Sequence, residues 1–170
     1  MEDPFDLLVL AASCGENLKL ANRFSEAAAA LGKRTMVIDL TLSSLPLFTP
    51  RNQQQLVLPD VIELQRQLES ASHWIICAPE YNGSIPPSLT SAIAWLSTQG
   101  NDFRALFNRH PVAIASHSGG GGYECLSALR IQLAHLGANV LGRQLVCTND
   151  RPAKQQSIDD VIGALFQLRA

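Results

Sequence analysis

Long apolar runs are missing from this chain of 170 residues, and no stretch approaches membrane-spanning length. Basic runs are missing too, as is any interleaving of aromatic with basic residues, and the formal net charge is only −2. That balance gives no footing for nucleic acid or an anionic membrane surface as a partner. The opening residues, Met1-Glu2-Asp3-Pro4, lack the basic segment of a secretion signal and lead straight into apolar sequence. The four cysteines, Cys14, Cys77, Cys125 and Cys147, show no CxxC spacing and no histidine at metal-ligand spacing, so no metal site is expected. Cys77 and Cys147 lie in apolar runs, as buried thiols do, and a reducing cytoplasm is the expected compartment. No internal repeat or linker divides the sequence. One domain over residues 1–170, with a full core, is expected.

What is present is a regular alternation. Residues 6–12 form a short continuous apolar run, the pattern of a strand covered on both faces. Asn17 then opens a helical pattern with Leu18, Ala21, Phe24, Ala28 and Leu31, which Gly32 stops. Residues 34–40 read as a second strand. Residues 41–59, with Pro46, Pro50 and three consecutive glutamines, read as a surface excursion. Asp60 is placed to cap a third helical run carrying Val61, Leu64 and Leu68. Residues 73–78 read as the third strand, and a helix from about Ser88 runs to near Gly100. Residues 111–115 form the fourth strand, followed by a helix from Tyr123 that Gly137 ends. Residues 140–147 form the fifth strand, and Ser157 is placed to cap the last helix. Five β-α units with right-handed crossovers make a doubly wound parallel sheet. Two strand orders are natural, a Rossmann half or the order 2-1-3-4-5. In the second, strands 1, 3 and 4 are neighbours.

Three unusual loops follow those three strands. The most informative is Ala78-Pro79-Glu80-Tyr81-Asn82-Gly83-Ser84-Ile85-Pro86-Pro87. Asn82-Gly83 suits a sharp turn at positive φ, and Pro86-Pro87 presets φ for a helix start. After strand 4 comes Ser116-His117-Ser118-Gly119-Gly120-Gly121-Gly122, where glycines let a planar ligand lie against backbone. After strand 1, Ser13, Gly15 and Asn17 lie at a helix start, a position that suits an anion. A large planar ring with a phosphate tail fits such a crevice, at the carboxyl end of the sheet where open α/β folds bind ligands.

The run Pro79-Glu80-Tyr81-Asn82-Gly83-Ser84-Ile85-Pro86, followed by Leu89, Ala92, Ile93 and Trp95, resembles the signature of the NADPH-dependent FMN reductase family. Ser116, Ser118, Gly119 and Gly120 resemble that family's Gly-rich loop. Leu136-Gly137-Ala138 and Leu45-Pro46-Leu47 add to a likeness that covers nearly the whole chain. The resemblance implies a flavodoxin-like α/β three-layer sandwich, with a five-stranded parallel sheet of order 2-1-3-4-5. It implies FMN as cofactor, NAD(P)H as co-substrate, and hydride transfer through the flavin to a small acceptor such as a quinone, a flavin, an azo compound or a metal oxyanion. It places cofactor-binding residues at Ser13, Gly15, Asn17, Pro79, Glu80, Tyr81, Asn82, Gly83, Ser116, Ser118, Gly119 and Gly120. No side-chain acid or base is assigned, because the flavin carries the chemistry. A homodimer or homotetramer is implied, with the Trp95 helix and the Glu80 loop near the contact.

The first loop departs from the family's longer Gly-Ser-x-Arg-x-x-Ser-x-Asn pattern. The arginine and second serine have no counterpart, and Glu16 brings a negative charge to the phosphate position. Two rival readings follow: a flavodoxin-like binding protein, or a family member with weak or lost FMN binding that serves as a non-catalytic dimer. A serine hydrolase, suggested by His117 between two serines, lacks the Gly-x-Ser-x-Gly elbow.

Overall fold

The computed structural model describes residues 4–55 and 59–169. Residues 1–3 of the acidic opening and residues 56–58 of the expected excursion lie outside the described residues. Strands β1 (Leu7–Ala11), β2 (Thr35–Asp39), β3 (Trp74–Cys77), β4 (Pro111–His117), β5 (Asn139–Val140) and β6 (Leu145–Cys147) form one parallel sheet. Its order is β2-β1-β3-β4-β5, with β6 also paired to β4. Helices α1 (Glu16–Ala30), α2 (Pro50–Gln55), α3 (Pro59–Glu69), α4 (Pro87–Ser97), α5 (Tyr123–His135) and α6 (Gln155–Leu165) connect or follow the strands.

The continuous apolar strand sequences are explained by two cores, one on each face. Side chains alternate across a strand. Leu8, Leu10, Trp74, Ile76, Val112 and Ile114 point into one core with α3, α4 and α5. Leu7, Val9, Ile75, Cys77, Ala113 and Ala115 point into the other, against Phe24 of α1 and Ile158, Val161 and Ile162 of α6. Each fully buried Leu, Ile or Val contributes about 1.5–3 kcal/mol relative to exposure, which is why these strands tolerate no polar alternation.

Helix ends follow local chemistry. Gly32 (φ 77°) and Gly137 (φ 90°) close α1 and α5 in the left-handed conformation. At each, two paired bonds satisfy the last carbonyls: Gly32 N–H to Ala29 O with Lys33 N–H to Ala28 O, and Gly137 N–H to Ala134 O with Ala138 N–H to Leu133 O. Pro86 precedes α4 and Pro87 occupies its first position, where a missing N–H costs little.

Four boundaries differ from the sequence expectation. Helix α1 starts at Glu16 behind Gly15, not at Asn17. Asp60 does not cap α3; it lies inside the helix and accepts a hydrogen bond from Ser44 N–H at 3.1 Å. Helix α6 starts at Gln155 behind Lys154, ahead of Ser157. The fifth strand is split. β5 pairs with the first residues of β4 and β6 with its last three, and Arg130 of α5 fills the break, donating to Leu141 O (2.9 Å) and Gln144 Oε1 (3.1 Å). Residues 41–55 are also less irregular than expected, holding a short 3-10 turn (Leu40–Leu42) and α2. Trp95 is buried and fixes this segment. Its indole N–H donates to Pro46 O at 2.8 Å and its ring packs edge-on to Phe48, 5.1 Å between centroids. Its side chain is therefore a core anchor of α4. Among the described residues no helix is long and apolar enough to cross a membrane.

Candidate functional site

The loops after β1 and β3 leave the sheet at one level, and β4 runs two residues further before its loop begins. In the register, Ala11 stands beside Cys77 and Cys77 beside Ala115. The ladder continues one step past the strand ends, with Ala12 N–H donating to Cys77 O (2.9 Å) and Ala78 N–H to Ala115 O (3.0 Å). The three loops therefore leave the same carboxyl edge from neighbouring strands.

The β3 loop forms one wall. Tyr81 and Ser84 exchange backbone hydrogen bonds of 3.1 and 3.0 Å, closing a two-residue hairpin. Asn82 (φ 52°) and Gly83 (φ 69°) occupy its corner, both left-handed as this turn type requires. Tyr81, Asn82, Gly83 and Ser84 are exposed, whereas Pro79 is buried beneath them. The bonded hairpin holds an exposed aromatic ring and a short stretch of backbone in fixed position.

The β4 loop forms the opposite wall. Gly119 and Gly120 are exposed. A side-chain methyl at Gly119 would have no neighbour within 4 Å, and one at Gly120 would meet only Glu80 Oε1, at 3.7 Å. The space over both glycines is therefore open. Gly122 is different: at φ 81° its missing side chain leaves room for Ser116 Oγ, which a methyl would overlap. Ser116 and Ser118 lie buried with hydroxyls 3.0 Å apart.

Glu80 joins the walls. Its backbone N–H donates to Ser118 Oγ (2.7 Å), and its carboxylate accepts from Cys125 N–H (3.2 Å) in the first turn of α5. A carboxylate at a helix N-terminus satisfies an amide that has no acceptor within the helix. The Cys125 thiol donates to Pro79 O at 3.4 Å; burial first, and the Glu80 charge second, push its pKa up to about 11. Cys14 is the exposed thiol.

The β1 loop closes the third side. Ser13 is half-buried and Gly15 exposed, and no side chain caps α1. Asn17 is buried. Its amide donates to His117 O and accepts from His117 N–H, both at 2.9 Å. Asn17 thus spends its side chain tying α1 to the end of β4. Glu16 in the first turn pairs with Lys19 at 2.6 Å. The bond from Lys19, with a smaller contribution from the His117 charge, holds its carboxyl below the usual carboxylate value.

All twelve residues singled out from the sequence lie in these three loops or at their roots, and their tasks differ. Tyr81, Asn82, Gly83, Gly119, Gly120 and Gly15 are exposed, and Ser13 is partly so. Pro79, Ser116, Ser118 and Asn17 are buried, and Glu80 braces the loops. Cys125, the brace's second anchor, gave no sequence signal because its part is played by its backbone N–H. No hydrogen bond joins His117 to either serine among the described residues, and His117 lines a small pocket with Glu16, Lys19 and Arg23.

The model for the NADPH-dependent FMN reductase family matches residues 5–151. An NADPH azoreductase of Bacillus sp. (strain OY1-2) is 29% identical over 110 residues, covering 64% of this chain and 58% of the relative. A quinone reductase of Escherichia coli (strain K12) is 35% identical over 106 residues, covering 61% of this chain and 55% of the relative. The chain thus spans little more than half the length of the curated relatives it matches. Among solved structures, the flavoenzyme NAD(P)H:(acceptor) oxidoreductase FerB of Paracoccus denitrificans superposes with a TM-score of 0.77 at 18% identity, over 98% of this chain and 100% of that one. A flavodoxin from the domain Archaea superposes with a TM-score of 0.66 at 11% identity, over 95% and 94%. The fold is flavodoxin-like.

Proposed function

The chain belongs to the NADPH-dependent FMN reductase family, and from that premise we propose that it is an FMN-dependent NAD(P)H oxidoreductase acting on a small acceptor such as a quinone or an azo compound. One observation supports the reading above others: an exposed, hydrogen-bonded hairpin at residues 81–84 and two open glycines, Gly119 and Gly120, lie on neighbouring loops joined by Glu80. That arrangement suits a planar ring, because Gly119 and Gly120 carry no side chain to displace and Tyr81 offers an exposed aromatic face.

FMN, when bound, would supply two-electron chemistry between a nicotinamide and the acceptor. The protein's part is to bind and orient. The backbones of residues 81–83 and 119–120 would hold the ring and offer N–H donors to its polar edge, where negative charge gathers on reduction. Ser13, Gly15 and the first-turn amides of α1 would hold the phosphate end. Pro79, Glu80, Ser116, Ser118 and Asn17 would keep the three loops at fixed spacing. No side chain is assigned as acid or base.

A homodimer would cover exposed apolar side chains such as Leu42, Leu47 and Tyr81, which follow the carboxyl ends of β2 and β3. A reducing cytoplasm fits the four unpaired thiols. The lack of an arginine in the β1 loop, together with Glu16, favours a second reading, a non-catalytic dimer that has lost firm hold of FMN.

The test is flavin binding followed by reduction. Purified protein is expected to quench FMN fluorescence at micromolar concentration, and NADPH is expected to bleach the bound flavin without oxygen. Quenching without bleaching selects the binding-protein reading; no quenching rejects both. Gly120→Val should abolish flavin binding at unchanged melting temperature, because a methyl there touches only one side-chain oxygen. Binding that survives this substitution contradicts the ring placement.

A further inference from the structure

A pocket of about 90 Å³ lies beside the first turn of α1, between that helix and the connection from β6 to α6. It has room for about three water molecules, the scale of a phosphate group rather than a ring. Glu16, Lys19, Arg23 and His117 line it, with Leu20, Cys147, Pro152 and Ala153. Residues 12–15, which connect β1 to α1, contain no cationic side chain, so any cation near the start of α1 comes from elsewhere. Lys19 is paired with Glu16 at 2.6 Å. Arg23 spends one of its five donors on Ala153 O, at 3.0 Å. The His117 ring makes no hydrogen bond among the described residues, while its backbone is pinned to Asn17 by two bonds of 2.9 Å. A residue that lines a charged pocket, with its backbone fixed and no hydrogen bond to its ring, leaves an imidazole N–H open to an acceptor.

We infer that His117 and Arg23 together bind the flavin's terminal phosphate, in place of the arginine that the β1 loop lacks. This rests on the flavin reading above. His117 is delivered across the sheet from β4, so the phosphate site is assembled by tertiary contact instead of by one continuous loop. Both residues offer charged or polar N–H donors, which form the stronger class of bond to phosphate oxygens. Glu16 is the opposing charge. Its pairing with Lys19 at 2.6 Å offsets it.

The experiment compares FMN with riboflavin, which has the same ring and no phosphate. Dissociation constants are measured by fluorescence quenching with no nicotinamide present. The wild-type protein is expected to prefer FMN by tenfold or more, on the order of one charge-assisted hydrogen bond. His117→Ala should cut that preference about tenfold while leaving riboflavin affinity unchanged, and His117→Lys should restore it. Arg23→Gln should also lower it. Glu16→Gln, a change at an exposed surface, should raise FMN affinity and not riboflavin affinity. A wild-type protein that binds both flavins equally overturns the phosphate inference and leaves the flavin reading standing. Full FMN preference in His117→Ala overturns the assignment of that residue. Binding of neither flavin overturns the flavin reading and this inference with it.

Discussion

His110 lies against the indole of Trp74 with ring centroids 3.6 Å apart, and its Nε2 is buried without a hydrogen-bond partner. Burial first, and the nearby His73 charge second, push its pKa down to about 4. The sign of the consequence is definite. An unfolded chain takes up this proton near about pH 6.5, well before the folded protein does. Stability from the neutral ring is therefore full above that value and falls as pH drops from there toward about 4. In urea titrations, His110→Phe should flatten that fall relative to wild type while keeping the stacked ring. Equal slopes in the two proteins would contradict the assignment. At this scale the sequence was highly informative about backbone and poorly informative about partners. Asn82-Gly83 announced a left-handed turn because few other residue pairs occupy one at low cost, and the turn is there. His117 read ambiguously, since which way a ring points depends on strand register and not on its sequence neighbours.

Among the elements, the contact between α1 and β4 is decided by Asn17. Its amide satisfies both backbone groups of His117, a residue one hundred positions away. Replacing it by Leu leaves a buried N–H and a C=O unpaired, a cost of about 2–4 kcal/mol. Asn17→Leu should lower the urea midpoint accordingly and weaken FMN and riboflavin alike, because it moves the whole β1 loop. Asn17→Asp keeps the acceptor, loses the donor to His117 O, and should fall between the two. A variant as stable as wild type would show the tie to be dispensable. The helix starts were legible only approximately, because Asn, Asp and Ser favour both caps and interior side-chain bonds. Asn17 read as the opening of a helix and Asp60 and Ser157 as caps, and all three lie just inside their helices. The break between β5 and β6 was not legible. Residues 140–147 carry strand-like composition, and the interruption comes from Arg130 on α5 reaching the freed carbonyls.

At the scale of the molecule, two cores share one sheet, and strands β1, β3 and β4 contribute alternate residues to both. Loss of either core exposes the other's strands. We therefore propose a single domain over residues 1–170 that unfolds as one cooperative unit. Far-UV circular dichroism and tryptophan fluorescence should give coincident denaturation curves, the latter reporting Trp74, in the core that holds α3, α4 and α5, and Trp95, buried on α4. Two separated transitions would show that the cores fold apart.

By itself the sequence determined the alternation of strands and helices, the apolar strands covered on both faces, and the hairpin turn over the crevice. Each depends on residues close together in the chain, where period, turn propensity and proline geometry act locally. The family likeness added the strand order and the cofactor. Tertiary structure alone decided how the twelve candidate residues divide between exposed walls and buried struts, where Glu80 finds its second anchor, and which cations stand beside the first turn of α1. Those are contacts between segments far apart in sequence, brought together by sheet register and the packing of α1 against its neighbours. No local pattern encodes them, because the same short motif fits equally well with its side chains turned toward the core or toward a ligand.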